Sequence, residues 1–505
     1  MNLHDLRPYL AAGAATVLVA TTGVVVTSAT AAPAPRCDNQ TSNSLAKLLE
    51  CVTLEGVREH QAAFQAIADA NNGIRTSGTD GYDESVDYVV ETMEAAGYDV
   101  TVQPFDFQTF ISLSAPVVEQ VAPPPTGPIE NTIFSYSGSG DVTAPVTALA
   151  AAPADATPGC DAADFAGFPA GNIALIERGA CTFAIKATNA YNAGAAAVVI
   201  YNNGPGTING TLGNAFTLDL PVTSVTQAVG QQLAATPGLI LRVKTDTFRG
   251  IATTYNVLAE KVGKNTGNVV MAGAHLDSVN AGPGIQDNGS GSAALLEVAQ
   301  QLAKTKTQNT LRFAWWGAEE SGLVGSTYYV DNLVQEELDR IAAYLNFDMI
   351  GSPNHVFFIY DGDDSDGVGA GAGPAGSAEI EQTFEAYFET VGEPYKGTDF
   401  SGRSDYGPFI AVGIPSGGLF TGAEGIKTPE EAAIWGGTAG EQYDPCYHLA
   451  CDTYDNINLE ALDVNSDAVA WATLSLAMST ELINGTKSKG NFKPPKPDEE
   501  APATS

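Results

Sequence analysis

The stretch that decides the fold is VVMAGAHLDSVNAGPGIQDNGSGSAALLEVAQQLAKT, residues 269–305. It begins with an apolar run, 269–277, that predicts a buried strand, and it ends with the helical pattern of 290–305. Further apolar runs at 311–320 and 344–351 predict two more strands. Nearer the N-terminus, 37–80 is predicted to be helical with a turn at 71–73, and a strand is predicted near 100–107. This alternation of strands and helices indicates an α/β fold, with a mostly parallel mixed sheet flanked by helices.

Five short motifs each place a histidine or a carboxylate at the predicted end of a strand or at the start of a loop. In open α/β sheets ligands bind at the carboxyl ends of strands, so we expect these side chains to converge. An aspartate after a strand is often only a cap, but five such motifs in this order are hard to explain by capping. The motifs are GAHLDS with His275 and Asp277, DNGSGS with Asp287, WWGAEES with Glu319 and Glu320, NFDMIG with Asp348, and CYHLACD with His448.

These residue types are the donors that catalytic zinc takes, and two zinc ions can share one bridging carboxylate. We therefore predict two Zn²⁺ per chain, with Asp287 as the bridge. His275 and Asp348 are assigned to one ion, and Glu320 and His448 to the other. The spacing alone does not separate zinc from manganese or cobalt, although imidazole with carboxylate suits zinc.

Two further acids in these motifs have predicted roles beside the metal ligands. Glu319 and Glu320 are neighbours, and neighbours on an extended backbone point to opposite sides. Glu319 is therefore predicted to face the shared water and to act as general base. Asp277 is predicted to hold the ring N–H of His275 or His448 and so to fix its tautomer. A turn-capping role explains Asp277 equally well.

The bulk composition narrows the class of protein. A length of 505 residues suggests two domains, and a net charge of −36 argues against nucleic acid and anionic membranes as partners. Residues 1–31 have the pattern of an export signal, with Arg7 before the apolar run Leu10–Val26 and a small-residue cleavage site at Ala29–Ala31. A membrane anchor, or lipid attachment at Cys37, is the alternative for this segment.

The six cysteines predict disulfides, because an even count is usual in exported proteins that form them. The cysteines fall into three local groups of two along the chain. Local pairing is our prediction among the connectivities that six cysteines allow. The predicted pairs are Cys37–Cys51, Cys160–Cys181 and Cys446–Cys451.

The motifs closely resemble those of secreted di-zinc aminopeptidases of Streptomyces type, also called leucyl aminopeptidases. The resemblance covers nearly all of 57–125 and 250–482, and it implies the zinc exopeptidase fold. It implies that the ligands are the five residues assigned above and that Glu319 is the base or acid. The stretches that carry it are GAHLDSVNAGPGIQDNGSGSAALLE, LRFAWWGAEESGLVGS, YLNFDMIGSP, GRSDYGPF, GGLFTGAEG and CYHLACDTYDNI.

The same resemblance implies roles for four residues outside the metal ligands. Tyr447 is implied to stabilise the oxyanion of the tetrahedral intermediate, and Arg403 to position the substrate. Met349 and Phe420 are implied to wall an apolar pocket for the first side chain. An aromatic ring packed beside a disulfide is the alternative for Tyr447, and a surface ion pair is the alternative for Arg403.

The middle of the chain differs in composition from the rest, with short β-like runs rich in Ala and Gly. NIALIERGACTF (172–183) and AAAVVIYNN (195–203) resemble the protease-associated domain, which implies a lid or substrate-access module without catalysis of its own. An independent binding domain is the alternative. The predicted segments are a signal 1–31, a first peptidase part 37–130, the β-rich insert 131–247, a second peptidase part 248–486 and a disordered tail 487–505.

A calcium site is a further property of some relatives, which use an early aspartate with two later ones. Asp463 and Asp467 match the later pair, but the early position falls near Cys51, which offers no oxygen. A Ca²⁺ site is therefore not our first expectation, and capping of a helix is the interpretation that we prefer for these two aspartates.

Together these observations predict a secreted, extracellular metallo-aminopeptidase that hydrolyses the N-terminal peptide bond and prefers large apolar residues such as Leu. A zinc-bridged hydroxide, with Glu319 as general base, is the predicted mechanism. The predicted partners are peptides or proteins with a free N-terminus, without nucleic acid or membrane, and the chain is expected to be a monomer. A carboxypeptidase or glutaminyl cyclase on the same scaffold is one alternative, and a non-catalytic binding protein is another.

Overall fold

A computed structural model describes most of the chain after residue 36. The predicted signal 1–31 and the predicted tail, except Lys487, lie outside the described residues. The described residues are 37, 41–149, 157–204, 206, 208, 210–369 and 371–487.

The described helices and strands alternate along the second half of the chain, as the sequence predicted. The α-helices are α1 (Leu45–Leu49), α2 (Leu54–Ala70), α3 (Asp80–Ala96), α4 (Phe183–Asn192), α5 (Gln227–Ala234), α6 (Gly289–Leu302), α7 (Val324–Asp331), α8 (Gln335–Arg340), α9 (Ser377–Val391), α10 (Tyr406–Ala411), α11 (Pro429–Trp435), α12 (Leu459–Met478) and α13 (Glu481–Asn484). The strands are β1 (Asp99–Ala122), β2 (Gly127–Ile129), β3 (Thr132–Ile133), β4 (Gly140–Ala148), β5 (Ile173–Glu177), β6 (Ala197–Tyr201), β7 (Val222–Val225), β8 (Ile240–Lys261), β9 (Asn265–His275), β10 (Asn309–Trp316), β11 (Ile341–Phe347), β12 (Phe358–Tyr360), β13 (Lys396–Thr398) and β14 (Ser416–Phe420).

The central sheet has the order β13-β12-β14-β11-β9-β10-β8. Strands β14, β11, β9 and β10 run parallel, whereas β8 and β12 are antiparallel to their neighbours in this group. This is the mostly parallel mixed sheet that the sequence predicted. Parallel strands are covered on both faces, which explains why β9 is buried from Asn268 to His275 and reads as one apolar run.

Helix α6 is the packing partner that brings one predicted site residue to the sheet. Twelve of its 14 residues are buried, and its N-terminal turn lies against the end of β11. A side chain at Gly291 would place its Cβ 2.1 Å from the carbonyl oxygen of Phe347, so only glycine permits this approach. The preceding residues 287 and 288 are thereby fixed beside the carboxyl ends of the strands.

The insert forms a sheet in which β4, β5, β6 and β7 are parallel and β3 is antiparallel to β7. Strand β4 also pairs antiparallel with β8 and so joins this sheet to the central one. The core of the insert is separate from that of the central sheet and includes Phe134, Ile176, Ile200 and Val222. The insert connects to the rest of the chain through a ribbon of β1 and β8, which pair from Asp99–Glu260 to Ala122–Ile240. The predicted boundary at residue 247 therefore falls inside the single strand β8.

Three local predictions of the sequence differ from the structure. The strand predicted at 311–320 ends at Trp316, because Ala318 has a left-handed backbone with φ +54°. The strand predicted near 100–107 continues to Ala122, because β8 offers it a partner along its whole length. The helical region predicted at 37–80 turns at 71–73 as predicted, but it is divided into α1 and α2 and is not helical at 74–79.

The structure contains the three local disulfides that were predicted, Cys37–Cys51, Cys160–Cys181 and Cys446–Cys451. The Cys37–Cys51 bond bears on the lipid alternative, because a lipid thioether and a disulfide would use the same sulfur of Cys37. No helix in the described ranges combines the length and the apolar character that a membrane crossing needs.

Candidate metal centre

The predicted ligands lie at the carboxyl edge of the central sheet and in the loops beside it. His275 is the last residue of β9, Asp348 directly follows β11, and Glu320 follows β10. Asp287 precedes the first turn of α6, and His448 comes from the long loop between α11 and α12. The loops thus converge as the positions of the motifs predicted.

The five side chains form two groups that share Asp287. In the first group, Nε2 of His275 lies 3.2 Å from Oδ1 of Asp348 and 3.3 Å from Oδ1 of Asp287. In the second group, Nε2 of His448 lies 3.1 Å from Oε2 of Glu320 and 3.2 Å from Oδ2 of Asp287. The two oxygens of one carboxylate therefore face two different histidines, which is the division of donors that the sequence predicted.

The charges of this site fit divalent cations. Glu320 has a buried Oε1 that accepts no hydrogen bond from the protein. Burial alone would lower the pKa of His448, but the carboxylates of Glu320 and Asp287 raise it to about 11. The carboxylates thus require positive charge at this position, and metal ions supply it while the imidazoles bind in their neutral form. Imidazole nitrogen with carboxylate oxygen is a donor set that zinc accepts.

Glu319 belongs to neither group but lies beside the first. Its Oε2 is 3.9 Å from Nε2 of His275, and it lines the cleft into which the donors open. Burial and the neighbouring acids raise its pKa well above the usual value for glutamate. The prediction that Glu319 and Glu320 point apart on an extended strand was wrong in its reason, because the strand ends before both residues and a turn separates their side chains.

Asp277 is buried next to His275, but its contacts differ from the predicted ones. Nδ1 of His275 is 3.1 Å from the backbone carbonyl oxygen of Asp277 and 3.8 Å from its carboxylate. The carboxylate instead accepts a hydrogen bond from the backbone N–H of Glu319, at 3.1 Å. The backbone of Asp277 therefore orients the histidine ring, while its side chain fixes the turn that carries Glu319.

Tyr447 and Arg403 meet at the rim of the cleft. The guanidinium of Arg403 donates to the hydroxyl oxygen of Tyr447 at 3.1 Å and to Glu424 at 2.7 Å. The ring of Tyr447 also stacks on that of His448, with 3.8 Å between centroids. Arg403 does form an ion pair, and the ring of Tyr447 does pack against another ring. Both side chains also line the cleft that holds the donor groups. Burial raises the pKa of Tyr447, so its hydroxyl keeps a proton to donate.

Met349 and Phe420 line the same cleft, as the resemblance implied. Met349 is buried and has a left-handed backbone with φ +56°, which turns the chain directly after Asp348. Phe420 is the last residue of β14, so its ring stands beside the edge where the donors converge. The cleft therefore combines a charged end with an apolar wall.

Sequence reasoning missed three residues that hold the donors in place. Asp452 is buried in the CYHLACD motif and accepts hydrogen bonds from the backbone N–H groups of Gln286 and Asp287, at 2.8 and 3.0 Å. Ser404 donates to Oδ2 of Asp348 at 2.6 Å. Asp452 could have been suspected from its motif, because an acid that follows a ligand motif often orients a ligand.

The third missed residue, Arg75, lies far from the motifs in sequence. Its side chain is fully buried and donates to the backbone oxygens of Leu276, Pro283 and Gly284. These carbonyls belong to the loop between His275 and Asp287. Nothing in the residues around Arg75 marks this role, because its partners are about 200 positions away along the chain.

Asp463 and Asp467 lie on α12, away from the two donor groups. The carboxylate of Asp463 accepts a hydrogen bond from the backbone N–H of Leu54, the first residue of α2. Burial and the charge of Asp463 raise the pKa of Asp467 to about 7. Cys51, at the early position of the calcium pattern, is engaged in its disulfide. These contacts agree with the capping interpretation of Asp463.

Comparison with known proteins identifies both parts of the chain. Residues 256–473 match the model of Peptidase family M28, and residues 142–233 match that of the PA domain. An aminopeptidase of Pseudomonas aeruginosa is 51% identical over 453 residues, which cover 86% of this chain and 83% of that protein. Leucine aminopeptidase 2 of Arthroderma otae is 43% identical over 433 residues, or 84% of each chain. The probable lipoprotein aminopeptidase LpqL of Mycobacterium tuberculosis is 42% identical and covers 94% of each chain.

Solved structures give the same result for the fold. An aminopeptidase from Aneurinibacillus sp. strain AM-1 aligns with a TM-score of 0.61 at 28% identity, covering 90% of this chain and all of the other. A zinc aminopeptidase from Bacillus subtilis aligns with a TM-score of 0.63 at 27% identity, covering 88% of this chain and 99% of the other. The fold and the site therefore define a metallo-aminopeptidase, a hydrolase, with an inserted PA domain. The chain belongs to peptidase family M28.

Proposed function

We propose that this enzyme removes single residues from the free N-terminus of peptides, with two zinc ions per chain and a preference for large apolar first residues such as Leu. The observation that carries this proposal is the position of Asp287, whose two oxygens face His275 and His448. One carboxylate between two donor groups suits a pair of ions that share a ligand. The relative named leucine aminopeptidase 2 supports the preference for Leu.

The proposed chemistry divides into what the ions supply and what the chain supplies. When bound in the two groups, zinc would acidify a shared water and polarise the carbonyl of the scissile bond. Glu319 accepts the proton of the attacking water and then donates it to the leaving amine, so the carboxylate is regenerated after each cycle. Its position beside His275, outside both donor groups, leaves it available for this exchange.

Tyr447 is the proposed donor to the oxyanion that forms at the carbonyl. Its hydroxyl oxygen already accepts a hydrogen bond from Arg403, so its own proton can be directed into the cleft. A donor fixed in place before the reaction stabilises the developing charge without reorganisation. Arg403 is proposed to position the substrate by holding this hydroxyl at the rim.

The free amino group of the substrate is proposed to contact acids of the first donor group. Glu319 and Asp348 are the candidates, since both line the cleft next to His275. A blocked amino group carries no charge for them to bind, which would restrict cleavage to free N-termini. The first side chain would then lie against Met349 and Phe420.

Secretion and a monomeric state remain part of the proposal. Three disulfides are typical of proteins that fold in an oxidising compartment, and residues 1–31 have the pattern of an export signal. The insert, which matches the PA domain, is proposed to act as a lid or substrate-access module.

Hydrolysis of Leu-p-nitroanilide and of its N-acetyl derivative tests the proposal, before and after removal of metal with 1,10-phenanthroline. We expect cleavage of the free substrate only, loss of activity on chelation and recovery when zinc is added. Activity that survives complete metal removal would contradict the mechanism. Release of residues from the C-terminus of N-acetylated peptides would support a carboxypeptidase. Cyclisation of an N-terminal Gln would support a glutaminyl cyclase.

A further inference from the structure

The cleft extends beyond the donor groups and their apolar wall to a polar segment that the proposed function does not use. Next to Met349, Tyr360 and Phe420, it is lined by Thr398, Asp399 and Ser401. Asp399 directly follows β13, the outermost strand of the central sheet. A carboxylate in this part of the pocket affects which substrate side chains the pocket accepts.

The strand register places Asp399 beyond the level of Phe420 and two strands away from it. Phe420 pairs with Phe358, and Phe358 pairs with Lys396 on β13. Asp399 is three residues beyond Lys396, which corresponds to roughly 10 Å along a strand. A lysine or arginine side chain bound beside Phe420 extends further toward Asp399 than a leucine side chain does.

The surroundings of Asp399 are strongly acidic. The loop 361–369 carries four aspartates and joins this segment through a hydrogen bond from the N–H of Asp361 to the carbonyl of Thr398, at 2.8 Å. The backbone of Gly369 lies against the Asp399 carboxylate, since a Cβ on that glycine would stand 1.4 Å from its Oδ2. Arg403 is the one lysine or arginine among the described residues that line the cleft, and it is paired with Glu424. The potential at this end of the cleft is therefore negative and attracts cations.

We propose that Asp399 binds the cationic end of a first side chain, so that the enzyme accepts peptides beginning with Lys or Arg in addition to apolar ones. The methylene stem would lie against Met349, Tyr360 and Phe420, and the ammonium or guanidinium would donate to the carboxylate. The inference rests on the proposed function, because it assumes that this cleft receives the first side chain of an N-terminal substrate.

The test compares kcat/KM for the p-nitroanilides of Lys, norleucine and Leu, in the wild type and in Asp399→Asn. Norleucine keeps most of the length of lysine without the charge, so the Lys/norleucine ratio isolates the contact with the carboxylate. We expect Asp399→Asn to lower this ratio roughly tenfold, as the loss of one charge-assisted hydrogen bond should. Cleavage of Leu and norleucine should stay within about twofold of the wild type.

Asp366→Asn is the matched control, because Asp366 is an exposed acid of the 361–369 loop that does not line the cleft. Its Lys/norleucine ratio should stay within about twofold of the wild type. If Asp399→Asn is inactive on all three substrates, Asp399→Glu takes its place in the test. This variant keeps the charge and should retain a preference for Lys over norleucine. An unchanged ratio in Asp399→Asn, or an equal fall in Asp366→Asn, would overturn the inference. Failure of the wild type to cleave even Leu would instead refute the proposed function.

Discussion

Glu319 and Glu320 are consecutive residues with different partners, and this difference sets their expected roles. Glu320 lies 3.1 Å from the imidazole of His448, whereas Glu319 stands outside both groups of donors. The strand ends before both residues, where Ala318 has a left-handed backbone. The resulting turn allows two adjacent carboxylates to serve binding and proton transfer separately.

Glu319→Gln should keep the metal and lose most of the hydrolysis. The amide has nearly the shape of the acid but cannot accept the proton of the attacking water, so kcat/KM should fall by roughly 10²–10⁴. The check is kinetics on Leu-p-nitroanilide together with metal analysis of the same sample. Glu320→Gln is the matched control, because it should lose metal as well as activity. A wild-type rate in Glu319→Gln would show that another group is the base.

Arg75 is expected to matter for metal affinity although it touches no donor side chain. Its guanidinium holds three carbonyls of the loop between two proposed ligands. Lysine keeps the charge but cannot satisfy this geometry, so Arg75→Lys should weaken zinc binding by roughly tenfold or more. Titration calorimetry of zinc into the metal-free protein measures the change.

The control for Arg75 is Arg242→Lys in the insert, where the arginine forms an exposed pair with Asp141. That exposed substitution should leave zinc affinity unchanged, since exposed pairs contribute little. Equal affinity in Arg75→Lys and the wild type would mean that the loop holds its shape without the guanidinium.

The sequence predicted the proposed ligands better than the residues that support them. His275, Asp287 and Asp348 stand in motifs with a strand, a loop and glycines around them, so local sequence marks them. Asp452 and Arg75 act through backbone groups whose positions depend on the tertiary fold. The motif around Asp452 gave a signal but not its partners, and no pattern of neighbouring residues marks the contacts of Arg75, which became visible only in the structure.

At the scale of elements, α6 links the site to the core. The side chain of Asn288, which directly precedes the helix, accepts a hydrogen bond from the N–H of Gly291 at 3.0 Å. This contact fixes the start of the helix next to Asp287. The helix and β9 were predictable from their apolar patterns. The full length of β1 was not predictable, because its extension depends on pairing with β8, more than a hundred residues later.

Glu297 on α6 should make stability depend on pH. It is 5% exposed, packs against Gly56 of α2, and burial raises its pKa to about 7. Because the folded pKa exceeds that of the unfolded chain, its stabilising effect is full below about pH 4 and is lost as the pH rises through 7. Glu297→Gln should therefore match the wild type near pH 4 and exceed its free energy of unfolding at pH 8 by up to about 3 kcal/mol.

Thermal unfolding at several pH values, under equal zinc, measures this difference. Glu94→Gln changes an exposed glutamate on α3 and serves as the control, with no expected change in the pH dependence. If the melting temperatures of the wild type and of Glu297→Gln follow the same curve from pH 5 to pH 8, the buried acid does not resist ionisation.

At the scale of the whole molecule, the chain combines a metallopeptidase with a PA domain inserted through a two-stranded ribbon. The insert was recognisable from ERGACTF, which joins β5 to α4, and from the later run AAAVVIYNN, which contains β6. Its edges were harder to locate, since β8 passes without a break from the insert to the central sheet. A boundary drawn from composition cannot detect a strand that serves two sheets.

The site, like the whole molecule, is rich in acidic residues. Asp277, Glu319 and Asp405 are buried close to the proposed ligands, and burial raises the pKa of Asp277 and Asp405 to about 7. Cations among these carboxylates would stabilise their charged forms. The proposed mechanism therefore depends on the number of ions that this region holds.

Metal analysis by inductively coupled plasma mass spectrometry on the purified wild type and on Asp287→Ala tests that number most directly. The account predicts two zinc ions per chain in the wild type and fewer in Asp287→Ala, because the variant removes the ligand that both groups share. One ion or none in the wild type, or two tightly held ions in Asp287→Ala, would contradict it.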